Sequence, residues 1–180
     1  MKIAPRQIAS FLAKPPDKIR AILLHGSDAG LRSSRAHQLA TLYSDDLDDV
    51  FSVTRISGSA LHGEAGKIAD AAAEIPMFGS RLVLVKATGA ELLEACKFLL
   101  SRPIQDTMVI IDASDTTTKH AVVKLFETTD TAAAIGCYPD NIGDIRQLTT
   151  SILRKDNVSV DRDALDLICA RLGSDHAATR

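Results

Sequence analysis

Residues Ala21–Ser33 read AILLHGSDAGLRS and carry the strongest information about the architecture of this chain. The apolar residues at the start predict a buried strand, Gly26 predicts a turn, and the stretch from about Leu31 to Tyr43 predicts a helix. A strand that passes through a glycine turn into a helix is the layout of a nucleoside-triphosphate loop, because the N-terminus of the helix directs backbone N–H groups at anions.

This loop departs from a working phosphate-binding loop at the residues that grip the nucleotide. A working loop reads G-x-x-x-x-G-K-[ST], in which the lysine reaches the terminal phosphates. Here only three residues separate Gly26 from Gly30, and Leu31-Arg32 stands where Gly-Lys would end the motif. Weak anion binding and an ordinary turn capped by Ser27 or Asp28 are the two interpretations. The degenerate nucleotide loop consists of Gly26, Ser27, Asp28, Gly30 and Arg32.

Further apolar segments predict strands that alternate with helical patterns. They are Phe51–Ile56, Arg81–Lys86, Thr107–Asp112 and Ala132–Tyr138. Continuously apolar strands are typical of a parallel sheet covered by helices on both faces, and strand–helix repeats connect by right-handed crossovers. We therefore expect an α/β domain over residues 1–138, with a short helix over Arg6–Lys14 that ends at Pro15.

The pattern changes after Pro139, where apolar residues recur at helical spacing and no further strand is indicated. One apolar stripe runs from Ile142 to Leu153 and another from Leu165 to Leu172, with Asp161 as the expected N-cap of the second. We expect residues 139–180 to be the start of an all-helical second domain. Because two helices do not close a core alone, we also expect the sequence to be a fragment of a longer protein.

Composition excludes several classes of function. A formal net charge of −2 argues against nucleic-acid binding as the main task of this segment. No apolar run is long enough to cross a bilayer and the N-terminus carries no export signal, so we expect a cytoplasmic protein without membrane partners. The widely spaced cysteines, Cys96, Cys137 and Cys169, are expected to be buried free thiols.

No catalytic constellation stands out in the sequence. Asp112 follows an apolar strand where a magnesium-binding acid lies in many ATPases, but Ala113 follows it instead of a second acid, and we interpret Asp112 as a turn or helix cap. The histidines are scattered without metal-ligand spacing. We therefore expect neither a metal nor a cofactor.

The strongest positive feature is the stretch Ile75–Arg81, which reads IPMFGSR. Pro76 ends a helix and Gly79 allows a turn before the next strand. Between them, Met77 and Phe78 either fold back onto the core or point outward as an apolar plug for a partner.

Several of these stretches together resemble the delta subunit of the bacterial DNA polymerase III clamp loader, over essentially the whole chain. They are Leu24–Asp28, Phe51–Ile56, Ile75–Arg81 and the C-terminal Leu172–Asp175 with Ala178–Arg180. The resemblance implies an ATPase-like domain of the AAA+ type that has lost ATP binding, followed by a small helical domain. It also implies a helical collar domain, which we expect this sequence to lack.

The resemblance further implies a function. In such subunits, an apolar residue and an aromatic residue at a helix tip enter a hydrophobic pocket of the ring-shaped sliding clamp and favour its open form. Met77 and Phe78 match this pair, and Pro76 and Ile75 would rim the contact. Methionine replaces the leucine frequent at the first position, with similar size and greater flexibility.

The partners implied are the clamp (the beta subunit), the gamma/tau and delta prime subunits, and DNA through the assembled complex. The chain would then be a non-catalytic accessory subunit of a DNA polymerase complex. Two other classes of function remain open from the residues alone. They are a divergent P-loop NTPase and an interaction module that uses a degenerate ATPase fold to bind another partner.

Overall fold

A computed structural model of the chain describes residues 1–75, 79–139, 149–150, 152–153 and 158–172. The chain divides into two compact units, Met1–Cys137 and Tyr138–Arg180. The predicted boundary after residue 138 lies beside this division, and the assignment of two domains stays a prediction.

In the part of the first unit that the structure describes, five strands form one parallel sheet. They are β1 (Ala21–His25), β2 (Val53–Ser57), β3 (Arg81–Thr88), β4 (Thr107–Ser114) and β5 (Ala132–Gly136). The order across the sheet is β2-β3-β4-β1-β5, and every pairing is parallel. Every residue of β1 is buried, including His25 at its end, as expected for a strand covered on both faces. The prediction of an α/β fold with a parallel sheet is confirmed.

Helices cover both faces of the sheet. They are α1 (Ile8–Ala13), α2 (Ala29–Ala40), α3 (Lys67–Ala73), α4 (Gly89–Leu100) and α5 (Ala121–Thr128), with short 3-10 turns at Pro5–Gln7 and Gly58–Leu61. Apolar residues of α1 and α2 pack in one core cluster with one face of the strands. Those of α3, α4 and α5 pack in a second cluster on the opposite face. The sheet is therefore the middle layer of three, and its strand ends position the loops that follow them.

Several element ends differ from the prediction because local hydrogen bonds override the apolar pattern. Helix α2 ends at Ala40 rather than Tyr43, since the Tyr43 N–H bonds to the Ala40 carbonyl and tightens the last turn. Strand β2 begins at Val53 rather than Phe51, because Asp49 forms a turn there. Strand β5 ends at Gly136 rather than Tyr138.

The second unit contains helix α6 (Arg162–Leu172). The Asp161 carboxylate accepts the Ala164 N–H at 2.8 Å, so the predicted N-cap is confirmed. Most of the predicted helical stripe over Ile142–Leu153, and the segment after Leu172, lie outside the described residues. Among the helices that the structure describes, none has the length and hydropathy needed to cross a membrane.

Candidate functional site

The glycine turn after β1 is closed by backbone from two neighbouring segments. Gly26 has φ +127°, and its N–H donates to the Thr116 carbonyl at 2.9 Å. A Cβ atom at this position would lie 2.1 Å from the carbonyl oxygen of Cys137, which follows β5. Both the backbone angle and the close approach require glycine, so the turn is fixed tightly against the end of the sheet.

The N-terminus of α2, where a phosphate would lie in a working loop, holds a carboxylate of the chain itself. Asp28 Oδ1 accepts the Leu31 N–H at 2.8 Å, so Asp28 rather than Ser27 is the N-cap. The Asp28 N–H donates to the Cys137 carbonyl at 3.1 Å. This negative charge interacts favourably with the positive end of the helix dipole, and it would repel an incoming anion.

Arg32 lies beneath the loop and does not face solvent. It is 6% exposed, and its Nε donates to Oδ1 of Asp112 at 2.7 Å. Its Nη1 donates to the carbonyl of Gly26. Arg32 therefore joins the first turn of α2, the glycine turn and β4 through charge-assisted hydrogen bonds.

Asp112 lies inside β4, and its carboxylate forms an ion pair with Arg32. Its interpretation as a turn or helix cap is wrong, because its carboxylate accepts from Arg32 and the strand continues to Ser114. Lys86 on β3 is in register with Asp112, so both side chains emerge from the same face of the sheet. A divalent cation at Asp112 would be repelled by the positive charges of Arg32 and Lys86. In the described ranges, no group of three or more His, Cys, Asp or Glu side chains is placed to hold a metal ion.

Arg35, one turn further along α2, makes a similar inward contact that the sequence did not reveal. Its Nη1 donates to the Gly136 carbonyl at 2.7 Å and to Cys137 Sγ at 3.4 Å. Burial raises the pKa of the Cys137 thiol, so this cysteine remains protonated and serves packing. Cys96 and Cys169 are also buried, as predicted for all three cysteines. Nothing in the local sequence distinguishes Arg35 from a solvent-exposed helix residue.

His25 precedes the glycine turn and is 3% exposed. Desolvation, followed by the charges of Lys2 and His120, lowers its pKa from 6.5 to about 4. The imidazole is therefore neutral near physiological pH and supplies no positive charge to the loop.

Among the predicted contact residues, Ile75 lies near the start of β3, at the opposite end of the strands from this loop. Ile75 is 90% exposed, whereas Pro76, Met77 and Phe78 lie outside the described residues. On either side of them, Glu74 pairs with Arg81, and Arg81 Nη2 donates to Thr54 Oγ1 at 2.7 Å. Ile75 and the glycine loop are therefore not brought together, since Ile75 lies where the parallel strands begin and the loop lies where they end.

This geometry defines a class of protein. A parallel sheet in the order β2-β3-β4-β1-β5, with a glycine turn leading from β1 into a helix, is the AAA+ ATPase-like fold. A solved structure of the RuvB Holliday junction branch migration motor of Thermotoga maritima matches the chain with a TM-score of 0.50. That match covers 98% of this chain and 59% of the motor at 14% identity, and it concerns the fold alone.

Comparisons with known proteins point to one kind of subunit within this class. The chain is 27% identical over 163 residues to a probable DNA polymerase III subunit delta of Rickettsia prowazekii, covering 89% of this chain and 47% of that protein. The DNA clamp loader delta protein of Bacillus subtilis matches in structure with a TM-score of 0.68 at 13% identity, over 97% of this chain and 54% of that one. No family model matches the chain. The resemblance to delta subunits is thus confirmed, and the chain spans about half the length of these relatives.

Proposed function

We propose that this chain is a clamp-loader subunit that binds the sliding clamp and helps to open the ring during DNA replication, without binding or hydrolysing ATP. The observation that carries the proposal is a degenerate nucleotide loop whose arginine is bound inside the fold to the Gly26 carbonyl and Asp112, on a chain that resembles delta subunits. A fold that has given up its nucleotide site serves another purpose, and in delta-like chains the expected purpose is protein binding.

Three features of the loop support the nucleotide-free part of the proposal. The lysine that would reach the terminal phosphates is missing, and Arg32 in its place is turned inward onto Gly26 and Asp112. The Asp28 carboxylate occupies the helix N-terminus. Binding a triphosphate here would require breaking a buried ion pair and placing phosphate beside a carboxylate, and both steps are costly.

The clamp-binding part of the proposal concerns Ile75, Pro76, Met77 and Phe78. Ile75 is 90% exposed, and a large aliphatic side chain so placed gains free energy when a partner covers it. Burial of a methionine and a phenylalanine would add roughly 3–6 kcal/mol before ordering costs. If the open ring presents the better pocket, this binding energy shifts the clamp from its closed to its open form.

The remaining partners follow from the same proposal. The chain would assemble with the gamma/tau and delta prime subunits, whose ATP-driven motion would control its access to the clamp, and it would meet DNA through the assembled complex. Its role would be that of an accessory subunit without catalysis of its own. The buried Arg32 would make no contact with DNA, since its guanidinium is bound to Asp112 inside the fold.

The test is a calorimetric titration of this chain into the purified sliding clamp of the same organism. We expect saturable binding that is lost in the Met77→Ala/Phe78→Ala double variant and retained in Leu167→Ala, which truncates another exposed aliphatic residue, 59% exposed in the second unit. Ring opening is measured as the release of labelled clamp from circular DNA. Failure of the unaltered chain to bind would overturn the function, and full binding by the double variant would overturn the assignment of the site.

A further inference from the structure

A second exposed apolar pair lies outside the segment considered above. Val50 is 76% exposed and Phe51 is 74% exposed, although the sequence predicts a strand that begins at Phe51. An aromatic side chain left in water beside a β-branched one is unusual in a loop that has a core within reach, since Leu47 of the same loop does pack against that core.

The loop that carries this pair is held in one shape by its own hydrogen bonds. Asp46 Oδ1 accepts the Asp48 N–H at 2.9 Å, and Asp49 Oδ1 accepts the Phe51 N–H at 3.0 Å. The Arg55 guanidinium donates to the Leu47 carbonyl at 2.7 Å and fixes the loop from the side of β2. The pair is therefore displayed by an ordered turn, which lowers the entropy lost when a partner covers it.

The same loop is joined to the start of β3. The Leu82 N–H donates to the Ser52 carbonyl at 2.8 Å, and Ser80 Oγ donates to the Tyr43 carbonyl at 3.3 Å. The loop thus lies beside Gly79 and Ser80, where the chain returns from the proposed clamp-binding segment. A partner that contacts Gly79 and Ser80 would therefore also be close to this loop.

We propose that Val50 and Phe51, with the aspartates around them, form a second contact for the sliding clamp; we call these residues the Phe51 surface. The inference rests on the proposed function and names an additional part of the same interface. The aspartates of this surface are Asp45, Asp46, Asp48 and Asp49. Only Asp48 has a basic partner among the described residues, Arg55 at 3.5 Å, so the rim of the surface is strongly acidic. It fits a clamp face that offers an apolar depression edged by lysine or arginine.

The test compares clamp affinities of four purified chains by calorimetry: unaltered, Phe51→Ser, Met77→Ala/Phe78→Ala, and Leu167→Ser as the matched control. Phe51→Ser should weaken binding about tenfold or more, as truncation of an aromatic anchor does. Its thermal midpoint should match that of the unaltered chain because the side chain is exposed. A fifth chain, Asp45→Asn, is compared with the unaltered chain by stopped-flow association with the clamp. It should associate more slowly at low salt and equally fast at high salt, as charge steering requires.

The outcomes separate this inference from the proposed function. If Met77→Ala/Phe78→Ala weakens binding while Phe51→Ser and Leu167→Ser both bind like the unaltered chain, the Phe51 surface is overturned and the function stands. If the unaltered chain fails to bind the clamp, the proposed function fails and the inference fails with it. Loss of affinity in Phe51→Ser with full affinity in Leu167→Ser supports the inference.

Discussion

Arg32 and Asp112 lie 80 positions apart in sequence and meet at 2.7 Å, where the side chains are only 7% and 12% exposed. The pair fastens the first turn of α2 to β4, and the second guanidinium contact, to the Gly26 carbonyl, locks the glycine turn between them. One side chain thus holds together the glycine turn, the first turn of α2 and β4.

Removing this arginine should be costly to stability. Arg32→Ala leaves the Asp112 carboxylate without its cation and the Gly26 carbonyl without its donor, so we expect a loss of about 3 kcal/mol in the free energy of unfolding. Urea unfolding measures it. The matched control is Arg55→Ala, which breaks an ion pair to Asp48 with side chains 56% and 95% exposed and an exposed hydrogen bond to the Leu47 carbonyl. It should cost about 1 kcal/mol or less. Equal losses in the two variants would contradict a buried structural role for Arg32.

Nucleotide should leave the stability of the chain unchanged. A ligand that binds only the folded state raises the unfolding temperature by an amount that grows with the logarithm of its concentration above its dissociation constant, so millimolar ATP with magnesium should shift the midpoint only if the chain binds it. We expect the same midpoint with and without ATP, measured by thermal denaturation. The non-hydrolysable analogue AMP-PNP serves as a second probe that cannot be consumed. A midpoint that rises steadily with the concentration of either nucleotide would favour a divergent NTPase.

The sequence reveals the fold because its strongest signals are local. The apolar run of β1, the glycine turn and the amphipathic helix that follows all lie within a few residues of each other, and repetition of the strand–helix unit then predicts a parallel sheet. The Arg32–Asp112 pair could not be foreseen in the same way. It depends on β4 lying next to β1, which is a property of the sheet order and leaves no trace in the neighbourhood of either residue.

Phe51 shows a different limit of sequence reasoning. The alternation of apolar residues extends the predicted strand back to it, but the Asp49 carboxylate accepts the Phe51 N–H and the Asp49 carbonyl accepts that of Val53. Side chain–backbone bonds of this kind compete with strand pairing. The exposed aromatic residue is therefore visible only in the structure, while the roles of Met77 and Phe78 stay predictions.

Stability should fall in mildly acidic solution because of His25. Folding lowers the pKa of this buried imidazole from 6.5 to about 4, so between these values the unfolded chain binds a proton that the folded chain does not. Between about pH 7 and about pH 5 this linkage removes roughly 2 kcal/mol of stability, and it levels off below the folded pKa.

The variant His25→Gln isolates this effect, since glutamine carries no titrating group. We expect the difference in unfolding free energy between the two pH values to shrink by about the same 2 kcal/mol, as measured by urea denaturation at each pH. His37→Gln replaces an exposed histidine and should preserve the difference. An unchanged difference in His25→Gln would mean that the buried imidazole titrates as it does in the unfolded chain.

Gly26 should tolerate no side chain, and Gly63 provides the comparison that shows why. Both have positive φ, +127° and +75°, but a Cβ at Gly26 would lie 2.1 Å from the Cys137 carbonyl oxygen, whereas nothing lies within 4 Å of one at Gly63. Gly63→Ala should therefore cost about 1 kcal/mol from backbone strain alone. Gly26→Ala must also push β5 away from the loop and should cost more than about 3 kcal/mol, measured by urea unfolding. Similar costs at the two positions would mean that the loop is free to move away from Cys137, and the locked turn described above would then be wrong.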